Sequence, residues 1–181
     1  MSQQPDPSTL RLVIYPHPAL VEMCQPVDDP TSQYIQDCIA RMKTVLKSMP
    51  NGIGLAASQV GLLLRIYVAY DKLEPGNPGD LVAYINPEFE PQSVLTPAIE
   101  NEGCLSFPGI TGDVMRPPSG KLSYINEQGE QVQEDVEGLK ARCAQHEIDH
   151  LNGISLVQSM TDESKKKARA AIDRLGKRRR R

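Results

Sequence analysis

The 181 residues are 39% hydrophobic and 24% charged, with a formal net charge of −3 at pH 7, which fits one globular domain with a single core. No run of 18 apolar residues occurs, so a membrane-spanning helix is excluded. Met1–Thr9 is polar and Pro-rich, without the basic start and apolar stretch of a signal peptide, so a soluble, cytoplasmic protein is expected.

In chain order, residues 1–10 read as a flexible N-terminal arm. Tyr15-Pro16-His17-Pro18 is a turn-rich entry in which His17 is structural. Ile35, Ile39, Met42, Val45, Leu46 and Met49 recur at helical spacing, which predicts a helix from about Thr31 to Met49, stopped by Pro50. Residues 51–61 are dominated by small side chains and read as a Gly-rich turn without the spacing of a dinucleotide fingerprint. Leu62–Tyr70, Leu81–Ile85 and parts of 88–100 read as strands. Lys121–Ile125 and Gln131–Val136 flank Asn126-Glu127-Gln128-Gly129 and predict a hairpin. Gly138–Leu151 reads as a helix closed by Asn152-Gly153, and a last helix runs from about Thr161 to Leu175. Strands in the middle with helices before and after them suggest an α+β fold.

Two compositional features stand out. Cys24, Cys38, Cys104 and Cys143 show no CxxC spacing and are expected to be thiols. Ten of the 20 Lys/Arg but only one acid, Asp173, lie in Lys165–Arg181, leaving ten Lys/Arg against 22 Asp/Glu elsewhere. An acidic body therefore carries a basic tail.

The strongest local signal is His146-Glu147-Ile148-Asp149-His150. Positions i and i+4 place both imidazoles on one helix face, where two nitrogens can reach one metal and Glu147 can reach a water beside it. A catalytic centre of this kind takes three protein ligands and leaves one position open. Leu156 stands where one protease group has a third His, and Asp162 and Glu163 read as the acidic first turn of a helix. Sulfur remains: Cys143 shares the helix but at a spacing that suits a pocket wall, and Cys104 lies in a Gly- and Pro-bracketed segment.

Gly-Ile-Gly-Leu-Ala-Ala-Ser-Gln at 52–59, Glu-Gly-Cys-Leu-Ser at 102–106 and Gln-His-Glu-Ile-Asp-His at 145–150 together resemble the three signature motifs of the peptide deformylases. Order and separations are similar, over about Arg11–Met160. The chain departs from the family at His17 and Val21, where an acid and an arginine are frequent, and at Arg142, a pocket position that is often apolar. The resemblance implies mixed or antiparallel sheets packed around a central HExxH helix, with a C-terminal helix. It implies a catalytic domain over residues 11–160, followed by a basic helix and tail over 161–181. Cys104, His146 and His150 would hold the metal, Glu147 would be the general acid/base, and Gln59 with the Leu105 N–H would bind the formyl oxygen. The metal would be Fe(II), with Zn, Ni or Co able to substitute, and the substrate the formyl-methionyl end of nascent polypeptides.

Finer expectations accompany that reading. Ile53, Leu139 and Cys143 are candidate walls for the methionine side chain, and the substrate backbone is expected beside Ile53–Gly54 and Gly103–Leu105. Glu102 is expected to pair with Arg116, and Asp149 to point away from the metal and anchor the helix. Lys165–Arg181 is expected to meet ribosomal RNA, with residues after about Met160 contributing nothing to the metal site. Two other classes compete: an HExxH metallopeptidase, which has no use for Cys104 or Gln59, and an RNA-binding module with a structural metal, which the basic tail favours.

Overall fold

The computed structural model describes residues 5–74, 76–92 and 98–178. Strands β1 (Gly54–Ala56), β2 (Ile66–Tyr70) and β3 (Leu81–Pro91) pair with β6 (Ser119–Ile125) and β7 (Gln131–Glu137) in one antiparallel sheet. Its order is β1-β2-β3-β6-β7. Strands β4 (Ala98–Gly103) and β5 (Thr111–Arg116) form a separate antiparallel pair. The helices are α1 (Gln33–Lys47), α2 (Gly138–Leu151), the single turn α3 (Leu156–Ser159) and α4 (Asp162–Arg178).

Alternation along the strands divides the large sheet into two buried faces. Leu55, Ile66, Val68, Ala83 and Ile85 pack with Ile35, Ile39, Met42 and Leu46 of α1. Ala56, Tyr67, Ala69, Tyr84 and Leu122 face the other way and pack with Ala141, Ala144 and Leu151 of α2. With both faces covered, β2 reads in the sequence as an unbroken apolar run. A third cluster joins Phe107, Ile110, Val114, Leu156 and Met160 to the apolar side of α4. The expected α+β architecture is present, with α2 at its centre.

The hairpin closes with Ile125 opposite Gln131, and the Asn126 Oδ1 accepts from the Gln128 and Glu130 amides. Three expectations need correction. The strand expected over Leu62–Tyr70 begins only at Ile66, and Leu62 and Leu64 pack in the core from a connector. Their apolar character reflects burial, not ladder pairing. The arm is anchored from Pro5 onward: Leu10 is buried, Arg41 Nε donates to the Leu10 carbonyl at 2.9 Å, and the Tyr34 hydroxyl to the Pro5 carbonyl at 3.1 Å. Leu10, one apolar residue at the end of a polar stretch, supplies the packing part of that anchor. The basic helix expected to follow the catalytic domain is not set apart from it, because Ala168, Ala171, Ile172 and Leu175 pack against the Phe107–Ile110 segment that follows Cys104. Strand β5 was not anticipated. Of the expected strand residues 88–100, 93–97 lie outside the described residues, as do 179–181 of the tail. Among the described residues no helix is long and apolar enough to cross a membrane.

Candidate metal centre

Helix α2 sets Arg142, His146 and His150 on one face at four-residue spacing. The two imidazole centroids lie 5.1 Å apart at 71°. Cys104 arrives from the end of β4, in a turn closed by the Phe107 amide donating to the Cys104 carbonyl at 2.9 Å. Its Sγ lies 3.2 Å from His150 Nε2. One ligand atom each from Cys104, His146 and His150 falls within 4.8 Å of the others. A thiolate and two imidazoles suit soft or borderline divalent metals, and three donors leave a coordination position open. Cys143 is not in this cluster. Burial pushes its thiol well above the ordinary range, which makes it a neutral wall.

Glu147 is buried, and its Oε2 has no hydrogen-bond partner among the described residues. Its other oxygen crowds the edge strand β1. A Cβ added at Gly54 would stand 2.6 Å from Glu147 Oε1 and 2.8 Å from Cys143 Sγ, so only glycine lets this backbone approach so closely. Burial pushes the Glu147 carboxyl up to about 7, against the opposing influence of His146 and of a hydrogen bond from the Ala56 backbone. Gln59, in the 3-10 turn Ala57–Val60, accepts from the Ala56 amide through Oε1 at 2.8 Å. That bond aims its Nε2 at Cys104 Sγ, 3.4 Å away, and at Ser106 Oγ, 3.3 Å away. The Ser58 hydroxyl donates to the His150 carbonyl at 3.2 Å and ties the same turn to α2.

Behind the three candidate donors lies an ionic cluster. Arg116 meets Glu102 through two bonds of 2.6 and 3.1 Å, and Asp149 at 3.0 Å. His146 Nδ1 lies 2.9 Å from Glu102 Oε2, which fixes the ring with Nε2 toward the cluster. Asp149 also accepts from the Ser159 hydroxyl at 3.0 Å, which ties the end of α2 to α3. Sequence reasoning missed Arg142. It reaches Glu102 at 2.6 Å, the Val114 carbonyl at 3.2 Å and Glu100 at 3.2 Å. The available signal was Glu100 and Glu102 two apart on one strand face, with a cation one helical turn before His146. Burial alone would raise the Glu102 carboxyl, but hydrogen bonds from His146 and Arg116 outweigh it and hold it at about 2.

That geometry gives a first expected outcome. Glu102→Gln leaves two buried arginines facing an amide and frees the His146 ring. Losing one partner of such a cluster costs about 3–5 kcal/mol, and losing a ligand's outer partner lowers metal affinity about 10–100-fold. Urea unfolding and metal titration of the variant check both. Unchanged values would show that Glu102 is a bystander.

The centre opens into a cavity of about 520 Å³. Its lining includes Ile53, Leu139 and Cys143, together with Gly54 and Gly103 of the two flanking strand segments. Ile53 and Leu139 form an exposed apolar rim. The cavity lies between two sheet edges, since β1 is an edge strand of the large sheet and β4, among the described residues, pairs only with β5. The Leu105 N–H, at its wall, donates to no acceptor among the described residues.

The family model for polypeptide deformylase matches residues 9–166. A peptide deformylase of Phenylobacterium zucineum is 40% identical over 169 residues, covering 92% of this chain and 94% of that protein. One of Prochlorococcus marinus is 44% identical over 141 residues, covering 78% of this chain, which spans 66% of that longer relative. Among solved structures, a plant peptide deformylase superposes with a TM-score of 0.85 at 34% identity, covering 98% of this chain and 94% of the other. A Synechococcus elongatus peptide deformylase in complex with actinonin gives 0.80 at 31% identity, covering 97% and 88%.

Proposed function

Because this chain belongs to the polypeptide deformylase family, metal-dependent enzymes that remove the N-formyl group from nascent peptides, we propose that it performs that hydrolysis at the Cys104–His146–His150 centre. The observation that carries the reading is the convergence of those three donors beside a buried, unpartnered Glu147 oxygen. When bound, the cation supplies Lewis acidity and lowers the pKa of water. Glu147 takes the proton from the attacking water and passes it to the departing amine. Gln59 Nε2 and the Leu105 N–H donate to the formyl oxygen as it gains charge. Ile53, Leu139 and Cys143 hold the methionine side chain. The peptide backbone lies between the β1 edge at Ile53–Gly54 and the β4 edge at Gly103–Leu105, as an added strand. Release of formate from formyl-Met-Ala-Ser by anaerobically purified protein tests the reading, and its absence would overturn it.

Two features favour this over the other classes. An HExxH metallopeptidase has no role for a cysteine sulfur 3.2 Å from the second histidine. A structural metal in an RNA-binding module would be closed and would need no acid beside a ligand.

The donor set fits Fe(II), with Zn, Ni or Co as substitutes. A ferrous ion with a thiolate ligand is open to oxidation at both metal and sulfur. Activity of the iron form should therefore decay in air while that of the nickel form persists, and equal lifetimes would contradict the assignment. A nascent-chain substrate puts the enzyme where translation occurs, in the cytoplasm. The cations of Lys165–Arg181, of which Lys166, Lys167, Arg169, Arg174 and Lys177 are exposed, suit the phosphate surface of a ribosome. Reversing the exposed Lys166 and Arg169 to Glu leaves the packed side of α4 intact. Co-sedimentation with ribosomes should fall in that variant, and for the parent protein between 50 and about 200 mM salt. Salt-independent binding would exclude a phosphate contact.

A further inference from the structure

The active-site cavity does not end at the ligands. Gly109 and Ile110 line both it and a second cavity of about 380 Å³. The far walls of the second are Pro108 and Leu175, with Arg174 and Lys177 of α4 beside them. Two stacked turns hold the shared ridge close to the centre, for Phe107 N bonds to the Cys104 carbonyl and Ile110 N to the Phe107 carbonyl. Gly109 stands on that ridge at φ 74°, in open space. The left-handed conformation keeps side chains off the passage. Helix α4 is fixed over it by apolar packing on Phe107 and Ile110 and by the Ser164 hydroxyl, which accepts from the Asp113 amide at 3.0 Å.

Arg174 and Lys177 are three residues apart and share a helix face. Both are exposed, and neither forms an ion pair among the described residues, whereas Lys165 and Lys167 meet Asp162 and Glu163. We propose that this groove continues the substrate site: residues of the formylated peptide beyond the third cross the Gly109 ridge and lie between Pro108 and Leu175. Acidic side chains there are preferred, because they face Arg174 and Lys177. The inference rests on the deformylase reading. A peptide suits the groove better than a nucleic acid, because apolar walls add nothing to phosphate contacts but cover aliphatic side chains. The C-terminal helix thereby takes part in substrate selection.

The test uses the metal-loaded enzyme and the double variant Arg174→Glu, Lys177→Glu, whose substituted side chains are exposed. Substrates are formyl-Met-Ala-Ser and longer formyl-Met-Ala-Ser peptides carrying either two Glu or two Lys between positions 5 and 8. Two exposed charge pairs are worth roughly a three- to ten-fold preference for the Glu peptide in kcat/KM, expressed mainly in KM and weakened by salt. The preference should invert in the double variant, while the tripeptide is hydrolysed equally by both proteins. Equal kcat/KM for the two long peptides, or a preference that survives charge reversal, would overturn the proposal. So would a double variant that loses only RNA binding or only self-association, since the groove would then have that occupant. Failure of the parent enzyme to hydrolyse the tripeptide would instead sink the deformylase reading, and the extension with it.

Discussion

Glu147→Gln should keep its metal and lose about 10²–10⁴ in turnover, the usual contribution of a positioned general acid/base. The substitution preserves shape at a tightly confined place, against the Gly54 backbone. It removes the only property a carboxylate adds there, the ability to take up and return a proton. Burial already favours proton uptake, since it pushes this carboxyl up to about 7. A buried carboxyl placed beside the attacking water can take its proton as base and return it as acid to the departing amine. The variant amide must place an NH2 where Oε2 has no partner, so a stability loss of about 1–3 kcal/mol accompanies the change. Thermal unfolding separates that loss from the catalytic one. The decisive measurement is formate release at saturating formyl-Met-Ala-Ser, with bound metal quantified in the same sample. Retention of a tenth of the parent rate would remove Glu147 from the chemistry.

The legibility of this site in the sequence followed the range of the interactions. His146, Glu147 and His150 were visible because helical periodicity turns a five-residue spacing into shared geometry. The hairpin was visible because Asn126 and Gly129 have turn chemistry of their own. Cys104 was different. It meets His150 across 46 positions, and no local spacing reports such a contact; the family resemblance singled it out. Arg142 showed the same limit. The alignment marked it only as a departure at a pocket position, whereas the structure buries it against Glu102, 40 residues away, with Arg116 on the same carboxylate. Strand β5 opens on Thr111-Gly112-Asp113, where Gly and Asp are poor strand formers. It exists because β4 and the third core hold it. The tail misled for a related reason. Its charge dominates its composition, but Ala168, Ala171, Ile172 and Leu175 form a narrow apolar stripe that decides where it packs.

The second large effect concerns the metal itself. Cys104→Ala should yield a folded protein that binds metal poorly and releases no formate. Removing an outer partner of a ligand lowers affinity about 10–100-fold, and deleting one of three direct donors should exceed that. Two imidazoles alone retain neither the charge neutralisation of a thiolate nor its preference for soft metals. The fold should survive, because Cys104 is only partly buried and the turn around it rests on backbone bonds from Phe107 and Ile110. Gln59 keeps Ser106 as a partner after the sulfur is gone. Cys143→Ala provides the contrast. That thiol is buried, held neutral and packed beside Gly54, so its loss should leave metal content unchanged while enlarging the methionine pocket and raising KM. Metal analysis of the two purified variants distinguishes a ligand from a wall. Stoichiometric metal in Cys104→Ala together with its loss in Cys143→Ala would exchange the two roles, and the open coordination position would then face a different wall of the cavity.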